Sequence, residues 1–186
     1  MMAPALCGLV LAGGSSRRMG QDKAAITNSD GKSWLESTVA MLEPLCSEVY
    51  VSCQHSDDDP LRSRFPCILD DGPSEGPLTG ITSAHRRFPQ NRWLVLAVDL
   101  PNMIPEALAR IIRHAETVST IATSSRGLEP LCGVYCPELL AALTTAFRAG
   151  ERSVLRGLEA NRKCYTTVAL DDVSLMNINR PSDREQ

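Results

Sequence analysis

No run of apolar residues in this chain approaches the ~20 needed to cross a bilayer, so no membrane span is expected. Met1 to Leu11 carries neither a basic start nor a small-residue cleavage site, and the expectation is a cytoplasmic protein with no membrane partner. The seven cysteines (Cys7, Cys46, Cys53, Cys67, Cys132, Cys136 and Cys164) contain no C-x-x-C pair and are scattered through apolar stretches. A zinc site or a disulfide framework is therefore not expected, and buried thiols in a reducing compartment are the simpler reading. Histidine is scarce as well. His55, His85 and His114 have no serine or cysteine nucleophile marked by context, so a triad hydrolase has no support. A formal net charge of −3 argues against general nucleic-acid binding. With 186 residues and neither an internal repeat nor an interdomain linker, the chain is expected to form a single domain, 1–186, with a substantial core.

Against that plain background one stretch stands out. The apolar run Leu9-Val10-Leu11-Ala12 breaks into Gly13-Gly14-Ser15-Ser16-Arg17-Arg18-Met19-Gly20-Gln21-Asp22-Lys23. Gly13, Gly14 and Gly20 can turn successive N–H groups into one concavity, which suits phosphate oxygens. Arg17, Arg18 and Lys23 add fixed positive charge, arginine as a planar fork and lysine as a compact point charge. The spacing is neither G-x-x-x-x-G-K-[ST] nor G-x-G-x-x-G, which disfavours a P-loop NTPase or a dinucleotide-binding dehydrogenase. A solvated basic surface loop is the plain alternative.

Periodicity supplies the frame for this loop. Strands are expected over 6–12, 48–53, 65–69, 93–98, 120–123, 131–135 and 165–170. Ser33-Trp34-Leu35-Glu36 reads as a capping box opening a helix, and further helices are expected after Gly76-Pro77, from Pro105, from Pro137 and over 153–161. Residues 124–130 read as a loop. The βαβα alternation argues for a three-layer α/β/α domain with a mainly parallel, twisted sheet. Ligands bind such sheets beyond the carboxyl ends of the strands, so the loops after Ala12, Cys53, Leu69 and Val98 should meet in one crevice.

Asp99 emerges there directly from the most hydrophobic strand. A carboxylate held so rigidly beside a triphosphate is the hard oxygen ligand Mg²⁺ requires, although capping the turn before Pro101 also accounts for it. Asp70 and Asp71 make a second acidic point, which turn formation with Gly72-Pro73 explains nearly as well. Asp22 is placed to neutralise or orient Lys23. Glu129 and Arg152 can face an acceptor, or simply be solvated.

Several of these motifs together resemble a known family. Leu11-Ala12-Gly13-Gly14, Arg18-Met19-Gly20 and Asp22-Lys23 are similar to the signature of the nucleotidyltransferases that attach a nucleotide to molybdopterin, most closely the molybdenum cofactor guanylyltransferases. The likeness continues through Asn28-Ser29-Asp30-Gly31-Lys32, Gly76-Pro77-Leu78-Thr79-Gly80, Val98-Asp99-Leu100-Pro101, Gly150-Glu151-Arg152-Ser153-Val154 and Asn177-Ile178-Asn179-Arg180-Pro181. It implies a Rossmann-like nucleotidyltransferase fold and transfer of GMP from GTP to the terminal phosphate of molybdopterin, with Mg²⁺ as cofactor and molybdoenzymes or cofactor-biosynthesis proteins as partners. By the same resemblance Leu11, Ala12, Gly13, Gly14, Ser52, Asp71 and Gly80 line the nucleotide site, Arg18 and Lys23 hold the triphosphate, and Asp99 binds the metal. Ser52 stands where the family commonly has Asn, Val98 where it has Cys, and Glu129-Pro130 where it more usually has His-Pro. The related chemistries are a cytidylyltransferase on the same acceptor and a sugar-phosphate nucleotidyltransferase. CTP-using members tend to read Ala-Ala-Gly after the first strand, so Gly13-Gly14 favours guanine. A catalytically silent GTP-binding carrier is the reading from another class.

Overall fold

The computed structural model describes residues 4–12, 22–54, 59–71 and 76–176. Seven strands, β1 (Leu6–Leu11), β2 (Val49–Cys53), β3 (Cys67–Leu69), β4 (Arg92–Ala97), β5 (Ser119–Ser124), β6 (Gly127–Tyr135) and β7 (Tyr165–Ala169), form one sheet in the order β3-β2-β1-β4-β6-β5-β7. Only β6 runs against the others, so the sheet is mainly parallel as the alternation predicts. The expected strand over 65–69 starts two residues later, at Cys67.

Alternation along β1 and β4 divides the core between two faces. Val10, Ala12, Leu94 and Leu96 pack with α1 (Trp34–Leu42) and α3 (Pro105–His114), through Leu35, Val39, Leu42, Leu108 and Ile111. Cys7, Leu9, Leu11, Trp93 and Val95 point the other way, toward α2 (Pro77–Arg87), α4 (Pro137–Arg148) and α5 (Val154–Ala160), meeting Leu78, Ile81, Leu139, Leu140, Leu143 and Leu158. Strands covered on both faces have no polar side to show, which is why β1 and β4 read as unbroken apolar runs. Pro77, Pro105 and Pro137 each open a helix where the missing N–H has no intrahelical partner to lose. All seven cysteines are free thiols, and burial pushes that of the fully enclosed Cys132 up to about 12. Among the described residues no helix is long and apolar enough to cross a membrane.

The order β3-β2-β1-β4 has a direct consequence for function. The chain builds outward from β1 to β2 and β3, then returns to place β4 on the opposite side of β1, so the strand order reverses between β1 and β4. The registers Leu11↔Ser52, Cys53↔Leu69 and Leu11↔Ala97 bring the ends of all four strands to one edge of the sheet. Residues entering and leaving at that reversal face the crevice in which open α/β sheets bind their ligands.

The first-helix capping box is present as the sequence predicts. The Ser33 Oγ accepts from the Glu36 N–H at 3.1 Å, while the Ser33 N–H donates to Glu36 Oε2 at 2.8 Å. These hydrogen bonds from Ser33 hold the Glu36 carboxyl below its ordinary pKa. Ser33→Ala removes the side-chain half of this arrangement at a buried position, and is expected to cost about 1 kcal/mol of stability in urea unfolding without changing the denaturant slope.

Candidate active site

Lys23 and Asp99 meet at the strand-order reversal. The Lys23 Nζ donates to Asp99 Oδ2 at 2.9 Å, joining residues 76 positions apart. Each side chain is largely withdrawn from water, at 16% and 18% exposure. Asp99 is delivered by β4, whose backbone continuation at Val98 still donates to the Leu11 carbonyl at 3.2 Å. Lys23 opens a 3₁₀ turn over Lys23–Ala25, where Asp22 caps the Ala24 N–H at 3.0 Å. The second carboxylate oxygen, Asp99 Oδ1, is buried and has no hydrogen-bond partner among the described residues. An orphaned carboxylate oxygen in a polar crevice is the donor a hard divalent cation needs. No group of three or more His, Cys, Asp or Glu side chains forms a metal cluster among the described residues. That donor set fits Mg²⁺, which typically takes one or two carboxylates and fills its remaining positions with water and phosphate oxygens.

A cavity of about 200 Å³ opens beside Asp99, lined by Ala97, Leu100 and the run Glu129 to Cys132. Its far wall exists because of an irregularity in β6. Pairing with β5 passes from Ile121↔Gly133 directly to Ala122↔Glu129, so Pro130, Leu131 and Cys132 have no counterparts on that side. Proline has no N–H to offer a ladder, and a proline within a strand marks such an interruption. The Tyr135 hydroxyl donates to the Pro130 carbonyl across the gap. Glu129 therefore lies in a strand rather than in the expected loop. Its Oε1 accepts from Ser124 Oγ at 2.6 Å and from Arg126 Nη2 at 3.0 Å. Arg126 also reaches the Leu175 carbonyl, and Asp172 receives the Ser125 N–H and hydroxyl, so the β5–β6 hairpin is tied to the turn that follows β7.

On the other side of β1, Leu11, Ser52 and Gly80 come together. A Cβ on Gly80 would stand 2.3 Å from Ser52 Oγ and 3.2 Å from Leu11 Cδ2, so only glycine lets α2 lie this close to the strand ends. The Ser52 hydroxyl donates to Asp70 Oδ1 at 3.1 Å. Asp71 stands next to it with an exposed side chain paired to Arg86 at 2.6 Å, and its N–H donates to Ser83 Oγ at 3.0 Å. Of the proposed nucleotide-site residues, Gly13, Gly14 and Arg18 lie outside the described residues, as do Arg17, Gly20, His55, Gly72-Pro73 and the 177–181 motif. Arg152, between α4 and α5, donates to the Phe147 and Glu151 carbonyls, with its guanidinium 4.5 Å from the Phe147 ring.

Sequence reasoning missed one central residue, Arg62. Its side chain is 11% exposed and its guanidinium reaches both Ala12 and Asp22. Nη1 donates to Asp22 Oδ2 at 2.7 Å and to Asp59, while Nη2 donates to Asp22 Oδ1 at 3.0 Å and to the Ala12 carbonyl. Asp22 is thus paired with Arg62 rather than with Lys23, and orients the lysine only by capping its turn. Burial works against the Arg62 charge, but hydrogen bonds and attraction from Asp22 and Asp59 outweigh it and raise the guanidinium pKa. Nothing in the pattern around Leu61-Arg62-Ser63 distinguishes this arginine from a solvated one.

Residues 8–164 match the MobA-like NTP transferase domain. The chain belongs to this family. A probable molybdenum cofactor guanylyltransferase of Chloroflexus aggregans is 32% identical over 96% of this chain and 91% of its own length. A second protein of that name, from Opitutus terrae, is also 32% identical and covers 99% of this chain and 95% of itself. The crystal structure of molybdopterin-guanine dinucleotide biosynthesis protein A from Archaeoglobus fulgidus superposes with a TM-score of 0.78 at 26% identity, over 96% of this chain and 95% of that one. As a MobA-like NTP transferase the protein is a nucleotidyltransferase, with the α/β fold the sequence predicts.

The Asp59–Arg62 contact gives the site a pH signature. Burial opposes the Asp59 charge, but hydrogen bonds from the Arg62 backbone and side chain outweigh it, and the carboxyl sits below its ordinary 3.8. A carboxyl whose pKa is depressed on folding adds stability above its unfolded pKa and loses it as pH falls through the folded one. In urea titrations the difference between wild type and Asp59→Asn is expected to be constant at neutral pH and to shrink as pH falls below 3.8. A difference independent of pH would show that the Asp59 charge does not contribute.

Proposed function

We propose that this nucleotidyltransferase moves GMP from GTP to the terminal phosphate of molybdopterin. A phosphate oxygen of the acceptor attacks the α-phosphorus of GTP, the bond to the bridging oxygen breaks, and pyrophosphate leaves with that electron pair. The product is molybdopterin guanine dinucleotide. The observation that carries the reading is the Lys23–Asp99 pair at the strand-order reversal, with Asp99 Oδ1 left free of hydrogen bonds beside a cavity. Guanylyltransferase names among full-length relatives support GTP and molybdopterin as the substrates. The Ala12-Gly13-Gly14 run, where CTP-using members tend to read Ala-Ala-Gly, supports guanine as the base.

The protein has little covalent work to do in such a reaction, and positioning and charge stabilisation carry it. Asp99 would hold Mg²⁺ through Oδ1. Held there, it would supply positive charge against the negative charge that develops during transfer. Lys23 offers a compact ammonium that Asp99 holds in a fixed place, and Arg18 offers a guanidinium fork to the triphosphate. Leu11, Ala12, Gly13, Gly14, Ser52, Asp71 and Gly80 form the nucleoside side. On the opposite side the Asp99–Glu129 cavity receives the acceptor. Its wall carries Glu129, whose Oε1 is occupied by Ser124 and Arg126, which keeps that carboxylate turned toward the hairpin.

Pyrophosphate release measured with molybdopterin and each of GTP, CTP, ATP and UTP tests the assignment. Turnover is expected with GTP. A preference for CTP would replace guanylyl by cytidylyl transfer, and GTP binding without pyrophosphate release would point to a carrier. Asp99→Ala and Lys23→Ala are each expected to lower turnover by roughly 10²-fold or more, the scale for losing one transition-state charge contact. A near-normal rate for either removes that residue from its role.

A further inference from the structure

The Arg62 guanidinium contacts the chain at two points that sequence separates and function joins. Ala12 is the last residue before the glycine-rich loop and Asp22 the first after it, and one side chain donates to both. Its own backbone is fixed on the connection between β2 and β3. The Arg62 N–H donates to Asp59 Oδ1 at 3.0 Å, and its carbonyl accepts from the Phe65 N–H at 3.0 Å and from Cys67 Sγ at 3.3 Å. The clamp therefore ties the outer strands of the sheet to the neck of the loop.

We propose that Arg62 is a positioning residue for the transfer site, fastening both flanks of the glycine-rich loop and, through Asp22, setting the place of Lys23. The role in transfer rests on the function proposed above, whereas the clamp and its hold on Lys23 do not. Three features assign the task to this residue. First, Asp22 uses both carboxylate oxygens on Arg62 and one of them also on the Ala24 N–H, so the guanidinium and the turn bearing Lys23 share a single anchor. Second, the partners need a fork. A guanidinium presents donors in fixed directions, and a lysine ammonium at the same place would lack that planar geometry. Third, a mostly buried charge is maintained only when it is paired, and here the pairing is with the loop flank and with Asp59 on its own turn. Losing Arg62 leaves Asp22 and Asp59 as two facing carboxylates with no cation between them. The displacement is then transmitted to Lys23, next in sequence to Asp22.

The chain has three lysines, Lys23, Lys32 and Lys163, which makes the consequence measurable without any nucleotide. Lys32 and Lys163 are exposed and serve as internal references, while the Lys23 side chain is 16% exposed and paired with Asp99. Amine acetylation read by mass spectrometry on the folded proteins is expected to show Lys23 reacting several-fold faster in Arg62→Lys and Arg62→Met than in wild type, with Lys32 and Lys163 unchanged. Turnover of GTP is expected to fall on the order of 10- to 100-fold in Arg62→Lys, mainly in kcat, as misplacement of a catalytic group requires. If circular dichroism shows that Arg62→Met fails to fold, its acetylation rates are set aside and folded Arg62→Lys decides. An unchanged Lys23 rate in folded Arg62→Lys overturns the proposal, as does a lowered melting temperature with normal kcat. Should wild type turn over no nucleotide, the proposed transfer falls, and the acetylation rates still decide whether Arg62 places Lys23.

Discussion

The parallel pairing of β1 with β4 is the contact on which the site depends, because it brings two segments that are remote in sequence to the same edge of the sheet. Six successive residue pairs, from Leu6↔Arg92 to Leu11↔Ala97, hold the strands in register. A slip of one residue would turn Val10 and Leu94 from one core face to the other, so burial on both faces fixes the register strongly. Once it is fixed, the end of β4 delivers Asp99 beside the end of β1, where Lys23 meets it. The ion pair between them is a consequence of sheet packing rather than its cause.

Charge around the first loop is arranged in two layers. Lys23 and Asp99 form the inner pair, and Arg62 with Asp22 and Asp59 the outer one. Asp22 connects them, because it caps the turn of one and receives the fork of the other. Partly buried charges need such mutual satisfaction, since each loses hydration that water cannot return. Within this arrangement Asp99 Oδ1 is the exception, a buried oxygen with no partner among the described residues. Functional sites are where such unmet capacity is expected to persist, ready for a ligand to satisfy.

The two sides of the crevice are built by different means. The side on which α2 packs depends on close approach, with Gly80 allowing the helix to meet Leu11 and Ser52. The cavity on the other side depends on an interruption, where Pro130 to Cys132 leave the β5 ladder and line the space beside Asp99. The family match spans both sides. Glu129 stands on the interrupted strand and is held by the hairpin's own Ser124 and Arg126.

Local pattern was sufficient for the elements themselves. Apolar runs, prolines at helix starts and the Ser33–Glu36 capping box are written in neighbouring residues, because the physics that forms them acts over a few positions. The strand alternation pointed to a mainly parallel α/β sheet and the glycine-rich loop to a phosphate ligand, while the family resemblance pointed to a nucleotidyltransferase. Arg62 was not legible, since a buried clamp and a solvated arginine have the same local signature and differ only in what folds against them. The same holds for Pro130 in β6, which reads as loop until β5 pairs around it. By itself, then, the sequence determined most of the strands and helices, and singled out Lys23 and Asp99 as candidates. Tertiary structure alone decided that Asp22 belongs to Arg62, that Asp99 keeps one oxygen unpaired and that the cavity opens on Glu129, because each requires contacts between residues that only the folded sheet brings within hydrogen-bonding distance.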